Sequence, residues 1–462
     1  MKRILLHILF ALLLLPLEGQ IGRYPFYRSS VSGDETLDGD PTSLTVTGMR
    51  NTEIDFEWTQ GSTNQDGYRI YKSTNGIDYT VDGTTTGEDT TYTATGMTAG
   101  SLYYFKVVAY KDSIESNSTN VYDTRFKITI NTELAGSDDT LFILPNYTSG
   151  IYDYYVDWGD GSAEENITTA GNHSHDYDIK GIYQIKIRGT MPHIYFANTG
   201  DILKLITVDN WGNIAWESMD AAFYGCANMT GTYIDCPNTT TVTTMASMFR
   251  DCTAFNQPVN FNTAEVISMY YMFRGCTAFN QSVANFNTAK VTSMAYMFYG
   301  CTAFNQPVTN FNTAEVITMT SMFYGCTAFN QSVANFNTAK VTSMAYMFRN
   351  CTAFNQPVTN FNTAEVNTMA YMFYGCTAFK QSLATFNMSL VSDVSSMLFN
   401  CNINTTGTTT NYDATLIAWE LQDLVNGLNF HAGTSQYSDT GAIAKSAIET
   451  DDSWAFTDGG HL

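Results

Sequence analysis

CTAFNQPVTNFNTAEVITMTSMFYG occupies residues 301–325, and a closely similar phrase, CTAFNQSVANFNTAKVTSMAYMFRN, follows at residues 326–350. The phrase recurs along residues 252–400, and a cysteine marks the start of each successive copy. These cysteines are Cys252, Cys276, Cys301, Cys326, Cys351, Cys376 and Cys401. A fixed period of about 20 to 50 residues is the signature of a stacked repeat architecture. The sequence therefore predicts an array of coils in which each coil covers its neighbours.

Hydrophobic residues recur at fixed places within each copy, and polar residues fill nearly every gap. In one copy they are Val291, Met294, Met297, Phe298, Cys301, Phe304, Val308 and Phe311. The spacing from Val291 to Phe298 predicts a short helical turn that Gly300 closes, and residues 304–308 are typical of an extended segment. Because one coil cannot cover these side chains alone, the coils must stack and align them in columns.

The residue after each NTA phrase alternates in charge along the array. These residues are Glu265, Lys290, Glu315, Lys340 and Glu365. If coils lie about 4.8 Å apart, as neighbouring strands do, identical charges would repel and alternating charges would attract. Exposed ion pairs contribute only about 0 to 1 kcal/mol each, so we interpret the alternation as a device that sets register.

The chain has nine cysteines, of which seven occupy equivalent repeat positions. In-register stacking would separate their Cβ atoms by about 4.8 Å, more than the roughly 3.5 to 4.5 Å that a disulfide prefers. We therefore predict buried free thiols that pack as small hydrophobic residues. The first copy is irregular, so the sequence leaves a bridge between Cys226 and Cys236 open.

Asparagine and methionine form two further columns. The asparagines Asn280, Asn305, Asn330 and Asn355 predict a hydrogen-bonding ladder that satisfies backbone groups at the turns. The methionines recur as regularly as the phenylalanines, which favours core packing over a soft-metal site.

A secretory signal peptide is predicted at residues 1–19. A basic start precedes an apolar run from Ile4 to Leu15, which is too short for a confident transmembrane helix, and Gly19 suits a cleavage point. Residues 20–40 are predicted to be a linker. We expect the mature protein to be exported, secreted or at the cell surface, without direct membrane insertion.

The net charge of the chain limits the classes of partner that it is expected to bind. It is −22, from 22 basic and 44 acidic residues. Neutralising phosphates requires clustered Lys and Arg, so the composition argues against nucleic acid as a partner. It equally argues against unassisted docking on anionic lipid, and acidic exported proteins are often simply soluble.

Short alternating strands are predicted over residues 41–124, which indicates a β-sandwich. Phe56 and Trp58 alternate in one strand, and MTAGSLYYFKVVAY places Tyr103 before a later one. This segment resembles a fibronectin type III module, with Tyr103 in the place of that family's tyrosine corner. The segment lacks an RGD-type adhesion tripeptide.

Residues 125–210 form a second β-rich unit. The WGDG phrase at residues 158–161, the H-x-Y at residues 175–177 and the following G-x-Y resemble PKD-like domains. Asp157 and Asp160 suit calcium by their oxygens, but a tight turn is the favoured interpretation. His173 and His175 lack a third ligand at a convincing spacing, so we interpret them as surface residues.

Residues 211–401, with their MFYGC, TAFNQ and NFNTA phrases, resemble the variant leucine-rich repeats of BspA-like bacterial surface proteins. Residues 402–462 are predicted to cap the open end with helices. The predicted fold is mainly β with short helices: two β-sandwich modules, a leucine-rich-repeat-like solenoid of 25-residue coils and a helical C-terminal cap.

The BspA resemblance implies an exposed adhesion or interaction protein. The sequence shows neither a nucleophile, base and acid arrangement nor a phosphate loop, so we expect a non-enzymatic protein without a cofactor or metal. Its partner is expected to be an extracellular protein or glycan, bound on the exposed repeat face because Tyr and Arg are enriched in recognition surfaces. The candidate residues are Tyr270, Tyr296, Tyr324, Tyr346, Tyr374, Arg250, Arg274 and Arg349. The alternative is a structural spacer or stalk of a cell envelope, filament or virion.

Overall fold

The first two sheets of the protein face each other across one hydrophobic core. The computed structural model describes residues 36–405 and 407–462, so the predicted signal peptide and most of the predicted linker lie outside the described residues. One sheet has the order β1-β2-β5 and the other β4-β3-β6-β7, with β8 beside β6. The strands are β1 (Thr42–Arg50), β2 (Glu53–Thr59), β3 (Gly67–Ser73), β4 (Thr80–Thr86), β5 (Thr91–Thr95), β6 (Tyr104–Lys111), β7 (Ile114–Glu115) and β8 (Tyr122–Asp123).

Alternating aromatic residues hold these two sheets together. Phe56 packs on Phe105 of the opposite sheet with ring centroids 4.7 Å apart, and Trp58 meets Tyr68 edge to face at 5.2 Å. The hydroxyl of Tyr103 accepts a hydrogen bond from the backbone N–H of Thr98. The predicted β-sandwich over residues 41–124 is therefore confirmed.

The next unit is a six-stranded sheet with the order β12-β11-β14-β9-β15-β16, accompanied by the pair β10-β13. Its strands are β9 (Phe126–Asn131), β10 (Leu141–Leu144), β11 (Asp153–Asp157), β12 (Glu165–Ile167), β13 (His173–Asp176), β14 (Ile182–Thr190), β15 (Leu205–Asn210) and β16 (Thr230–Gly231). β15 is antiparallel to β9 but parallel to β16. The sheet thus changes to parallel pairing where the repeats begin, and its core is continuous with theirs.

The acidic phrase after β11 forms a tight turn. Asp157 accepts a hydrogen bond from the N–H of Gly159, and Asp160 accepts one from the N–H of Ser162. Gly159 has a φ of +84°, which glycine adopts without steric cost. The second oxygen of Asp160 pairs with His175 at 2.7 Å. The turn interpretation of Asp157 and Asp160 is confirmed.

The repeats stack through parallel backbone pairing, with one bridge for each successive coil. The bridged residues are Thr244, Ser268, Ser293, Thr318, Ser343, Thr368 and Asp393. Further bonds join the same coils, such as the N–H of Phe298 to the carbonyl of Met322 at 2.9 Å. In-register stacking is confirmed.

The predicted helical turn at residues 291–298 is wrong. Met297 donates to the carbonyl of Met294, so this part of the coil is a series of tight turns. The N–H groups of Tyr296 and Phe298 instead donate to the next coil, at 2.9 Å each. A helix needs these donors for its own i−4 carbonyls, so pairing between coils excludes it.

Columns of phenylalanine fill the interior of the array. Rings of Phe298, Phe323 and Phe348 lie nearly parallel, with successive centroids 5.7 and 5.6 Å apart. Each repeat cysteine donates a hydrogen bond inward, as from Cys301 Sγ to the carbonyl of Phe273 at 2.9 Å. All nine cysteines are free and buried, which confirms the predicted thiols and leaves Cys226 and Cys236 unbridged.

We expect thiol labelling to be nearly absent in the native protein and to reach nine groups after denaturation. Burial raises the pKa of Cys401 to about 12, so its reactive thiolate is scarce at neutral pH. The measurement is mass spectrometry of native and denatured protein after alkylation without reductant. Fewer than nine labelled thiols in the denatured protein would contradict the free-cysteine array.

The alternating charges pair two by two. Lys290 lies 2.6 Å from Glu265, and Lys340 lies 2.7 Å from Glu315, so each lysine reaches back to the preceding coil. About half of each side chain is exposed. These pairs support register, but their exposure limits their contribution to stability.

Replacing Lys290→Glu and Lys340→Glu together would place five glutamates in one column. We expect the free energy of unfolding to fall by about 1 to 2 kcal/mol at low salt and by less at 1 M salt. Urea titration of the variant, with Lys290→Gln and Lys340→Gln as the uncharged control, measures the difference. Equal stability of the two double variants at low salt would contradict the stacking of these five side chains in one column.

A buried carboxylate joins the first sandwich to the irregular first coil. Asp235 accepts hydrogen bonds from the N–H groups of Trp211 and Gly212, both at 2.8 Å, and from the hydroxyl of Tyr122 at 2.9 Å. Cys236 packs within the core of the sandwich. Residues 37–462 accordingly form one compact unit.

Burial raises the pKa of Asp235 to about 6, above its ordinary value of 3.8. The folded protein therefore binds a proton more tightly than the unfolded chain, so this group's contribution to stability is present below about pH 4 and lost as pH rises through 6. We expect that loss to approach about 3 kcal/mol in the wild type and to be absent in Asp235→Asn. Parallel stability curves for the two proteins from pH 4 to 7, measured by urea unfolding, would contradict it.

The C-terminal segment covers the last coils. Its elements are α1 (Thr410–Glu420), β17 (Asn429–His431), α2 (Asp439–Asp451) and β18 (Ala455–Thr457). Leu398 donates to the carbonyl of His431 at 3.0 Å, and Trp419 Nε1 donates to the carbonyl of Leu383 at 3.2 Å. The predicted cap is therefore present, and Ser438 is the residue that precedes α2. Neither helix of the described part has the length and apolarity to span a bilayer.

Candidate ligand-binding face

Tyrosine recurs five residues before the repeat cysteine, and tyrosine or arginine recurs two residues before it. Because the coils stack in register, these positions form two adjacent columns along one side of the array. We call this surface the tyrosine–arginine ribbon. Its members are Tyr224, Arg250, Tyr270, Tyr271, Arg274, Tyr296, Tyr299, Tyr324, Tyr346, Arg349, Tyr371, Tyr374 and Phe399.

The backbone of the first column is left-handed. Tyr271, Tyr296, Tyr346 and Tyr371 have φ values of 57° to 61°, and Ser321 has 55° at the equivalent place. Such a conformation costs a non-glycine residue about 1 to 2 kcal/mol, and the pairing between coils overrides it. The repeat backbone thus imposes this conformation whether tyrosine or serine occupies the position.

The rings of the ribbon stack on one another. Tyr299 and Tyr324 lie with centroids 4.3 Å apart at 13°, Tyr346 and Tyr371 at 4.9 Å and 5°, and Tyr374 and Phe399 at 4.8 Å and 10°. These side chains are half-buried. Stacking covers ring faces and leaves ring edges and hydroxyl groups as the accessible chemistry.

Arginine inserts between the rings. Arg250 lies 4.4 Å from the ring centre of Tyr224 and 4.7 Å from that of Tyr271. Arg274 lies 5.5 Å from Tyr271 and 5.2 Å from Tyr299. All of these distances are within the roughly 6 Å of a cation–π contact.

Arg349 has four aromatic neighbours. The distances from its guanidinium carbon to the ring centres are 5.3 Å for Tyr324, 5.6 Å for Tyr346, 5.1 Å for Tyr371 and 4.6 Å for Tyr374. The ribbon is therefore a surface of phenol hydroxyls and guanidinium N–H groups supported by stacked rings.

The hydroxyls of Tyr270, Tyr299 and Tyr346 remain protonated at neutral pH. Burial, together with hydrogen bonding to Tyr271, raises the pKa of Tyr270 to about 12, and burial also raises the pKa of Tyr299 and Tyr346. Protonated phenols both donate and accept hydrogen bonds. The ribbon can accordingly bind hydroxyl-bearing or anionic groups.

The structure brings all eight sequence-predicted residues onto this one surface. Tyr270 lies one position out of register, where its ring contacts Tyr271 at 3.9 Å and is the most exposed of the set. The members that the sequence reasoning missed are Tyr224, Tyr271, Tyr299, Tyr371 and Phe399. Alignment of every copy on its cysteine would have revealed them, because they occupy the same two columns.

The asparagine column is engaged internally. Asn280 Oδ1 accepts hydrogen bonds from the backbone N–H of Asn305 at 2.9 Å and from Gln306 Nε2 at 3.0 Å. The same contact repeats between Asn305 and Asn330. The predicted ladder is confirmed, and its amides serve coil pairing rather than a ligand.

Across residues 36–405 and 407–462, no group of three or more His, Cys, Asp or Glu side chains is arranged to hold a metal ion. His173 bonds to the carbonyl of Thr169, and His175 pairs with Asp160 and stacks on Trp158 at 4.7 Å. These histidines take part in local packing.

Residues 39–124 match the family model described as "Fibronectin type III domain". The chain carries a fibronectin type III domain. Such domains are typical of extracellular binding or spacer modules. Residues 217–323 and 305–412 match a second model, "Mycoplasma protein of unknown function, DUF285". No curated protein matches the chain.

Several solved structures resemble the chain. The A168–A170 segment of titin is 18% identical over 19% of this chain and 32% of that one, with a TM-score of 0.17. An Fn3-like protein from Clostridium thermocellum is 24% identical, and the match covers 19% of this chain and 92% of that one, with a TM-score of 0.17. A two-domain fibronectin type III segment of chicken tenascin is 16% identical, and the match covers 32% of this chain and 92% of that one, with a TM-score of 0.18. At such scores the likeness says nothing about ligands.

Proposed function

We propose that this protein is an exported, non-enzymatic binding protein that uses the tyrosine–arginine ribbon for adhesion to an extracellular protein or glycan. The repeats would form a BspA-like, leucine-rich-repeat-type solenoid, and residues 125–210 a PKD-like module. The observation that carries the proposal is the continuous ribbon itself. Its phenol hydroxyls recur from coil to coil and are joined by three guanidinium groups, while the asparagine column is used within the array.

Repetition gives the ribbon its binding strength in this proposal. Each ring edge or guanidinium offers a weak contact, but contacts at fixed spacing act together on a polymeric or multivalent ligand. Linked contacts of this kind raise avidity by about 10² to 10⁴ over a single one. The rigid stack holds the groups in place, so little ordering entropy is lost on binding.

A structural spacer or stalk is the second candidate, for a cell envelope, filament or virion. The buried Asp235 joint favours it, because its three hydrogen bonds hold the fibronectin type III domain against the stacked array, as a spacer requires. The two candidates differ in whether ribbon side chains matter. A spacer tolerates any ribbon residue that keeps the coils stacked.

Serine substitution of the left-handed tyrosines tests the binding role. Serine occupies the same position at Ser321 with the same φ, so Tyr296→Ser, Tyr346→Ser and Tyr371→Ser together should preserve the fold. Aromatic residues at binding hot spots each contribute more than about 1 kcal/mol, so we expect affinity for cells or arrayed ligands to fall at least about tenfold. Binding of the full chain to glycan and matrix-protein arrays measures this.

The matched control changes a column outside the ribbon. Ile267→Thr and Ile317→Thr introduce the residue that Thr292 already supplies at the equivalent place, and we expect them to leave binding unchanged. Circular dichroism of both variants checks folding. Undiminished binding by the folded serine variant would favour the spacer.

A further inference from the structure

Arg349 differs from the other two arginines of the ribbon in having no internal counter-ion. Asp251 lies 3.6 Å from Arg250 and 3.6 Å from Arg274 and neutralises that end of the ribbon. The position equivalent to Asp251 is Asn350 beside Arg349, with nearly the same left-handed φ, 60° against 58°. Within the described residues, no carboxylate oxygen lies within 4.0 Å of an Arg349 nitrogen.

The missing counter-ion is not a consequence of composition. The chain has 44 acidic and 22 basic residues, so carboxylates are plentiful. Asp393, an acidic residue of a later coil, accepts hydrogen bonds from the N–H and hydroxyl of Ser395 instead. Arg349 Nε, like Arg250 Nε, is buried without a hydrogen-bond partner, so the feature that distinguishes Arg349 is its missing counter-ion. A half-buried guanidinium that lacks a counter-ion is a site that an external anion would stabilise.

The rings around Arg349 restrict how an anion can approach. Four tyrosine rings lie within 5.6 Å of its guanidinium carbon and shield much of the group from water. The planar fork of an arginine matches the paired oxygens of a carboxylate or a sulfate, and such charge-assisted bonds are among the stronger hydrogen bonds. The neighbouring phenol hydroxyls would bind hydroxyl groups beside that oxyanion.

We propose that Arg349, with Tyr324, Tyr346, Tyr371 and Tyr374, is a subsite for the carboxylate or sulfate of an acidic polysaccharide. This rests on the proposed function and names the chemical class of its ligand. The ribbon offers an extended peptide no strand edge, because the backbone N–H groups of Tyr346 and Tyr371 already donate to the next coil. Phenol hydroxyls complement a chain that carries both hydroxyl groups and oxyanions.

The net charge of −22 does not prevent this contact. At physiological ionic strength the Debye length is about 8 Å, so the charges nearest to Arg349 decide the local potential. A neutral polysaccharide lacks the oxyanion that Arg349 would bind, so we expect it to bind no better than background. We expect the same of an acidic polysaccharide at the Arg250 end of the ribbon, because Asp251 already supplies an anion there.

The experiment uses the full chain and surface plasmon resonance with four probes: polygalacturonate, dextran sulfate, neutral dextran and poly-glutamate. We expect binding of at least one of the two acidic polysaccharides and not of dextran, and the two acidic probes distinguish carboxylate from sulfate. Arg349→Gln should weaken binding about tenfold or more, since charge-assisted hydrogen bonds are lost. Asn350→Asp should weaken it similarly, because it places a carboxylate where Asp251 stands beside Arg250.

Asp251→Asn is the reciprocal variant. It releases Arg250 and Arg274 from their carboxylate, so we expect binding of the acidic polysaccharide to strengthen several-fold. Asp and Asn both occur natively at this left-handed position, so both exchanges should preserve folding. Ile267→Thr serves as the control outside the ribbon.

The outcomes separate this inference from the proposed function. Unchanged binding in Arg349→Gln, or equal binding of poly-glutamate, would overturn the acidic-polysaccharide subsite. If no acidic probe bound while the serine variant still lost binding to cells or arrays, the subsite would be wrong and the ribbon function would stand. If the serine variant bound its targets normally, the proposed function itself would be wrong.

Discussion

Backbone hydrogen bonding between successive coils is the interaction on which the rest of the structure depends. The N–H groups of Tyr296, Phe298 and Gly300 all donate to the following coil, at 2.9, 2.9 and 2.7 Å. These bonds take the donors that a helix would have used and fix the left-handed residues in each coil. They also set the register, so that every side chain of the repeat lies beside its equivalents.

In-register stacking makes each repeat position a column, and the chemistry of a column depends on what it faces. Phenylalanine, methionine and cysteine face inward and form a core that runs from Phe126 of the sheet to Trp454 of the cap. Asparagine columns bind the backbone of the next coil. Tyrosine and arginine line the ribbon, where Arg250 and Arg274 share Asp251, whereas Arg349 has no carboxylate oxygen within 4.0 Å among the described residues. The ribbon is thus the column set with polar capacity left for a partner.

The ends of the array are built differently because the first and last coils meet other partners. At the start, the parallel pairing of β15 with β16 turns an antiparallel sheet into the first layer of the stack. Asp235 then holds the fibronectin type III domain through three hydrogen bonds. At the far end, the carbonyl of His431 accepts a hydrogen bond from the N–H of Leu398 in the last coil. Each end satisfies backbone groups that an interior coil would have satisfied.

The sequence by itself determined the period, the in-register stacking, the free buried cysteines, the asparagine ladder and the first sandwich, because each is written as a repeated or alternating pattern. It wrongly predicted a helical turn at residues 291–298, since local spacing does not reveal that the N–H groups of Tyr296 and Phe298 donate to carbonyls of another coil. It also missed the Asp235 joint, whose partners lie up to 113 residues away. Only the tertiary structure decided that Asp251 neutralises two arginines while Arg349 lies among four rings with Asn350 beside it. Those differences depend on distances between coils, which no single repeat contains.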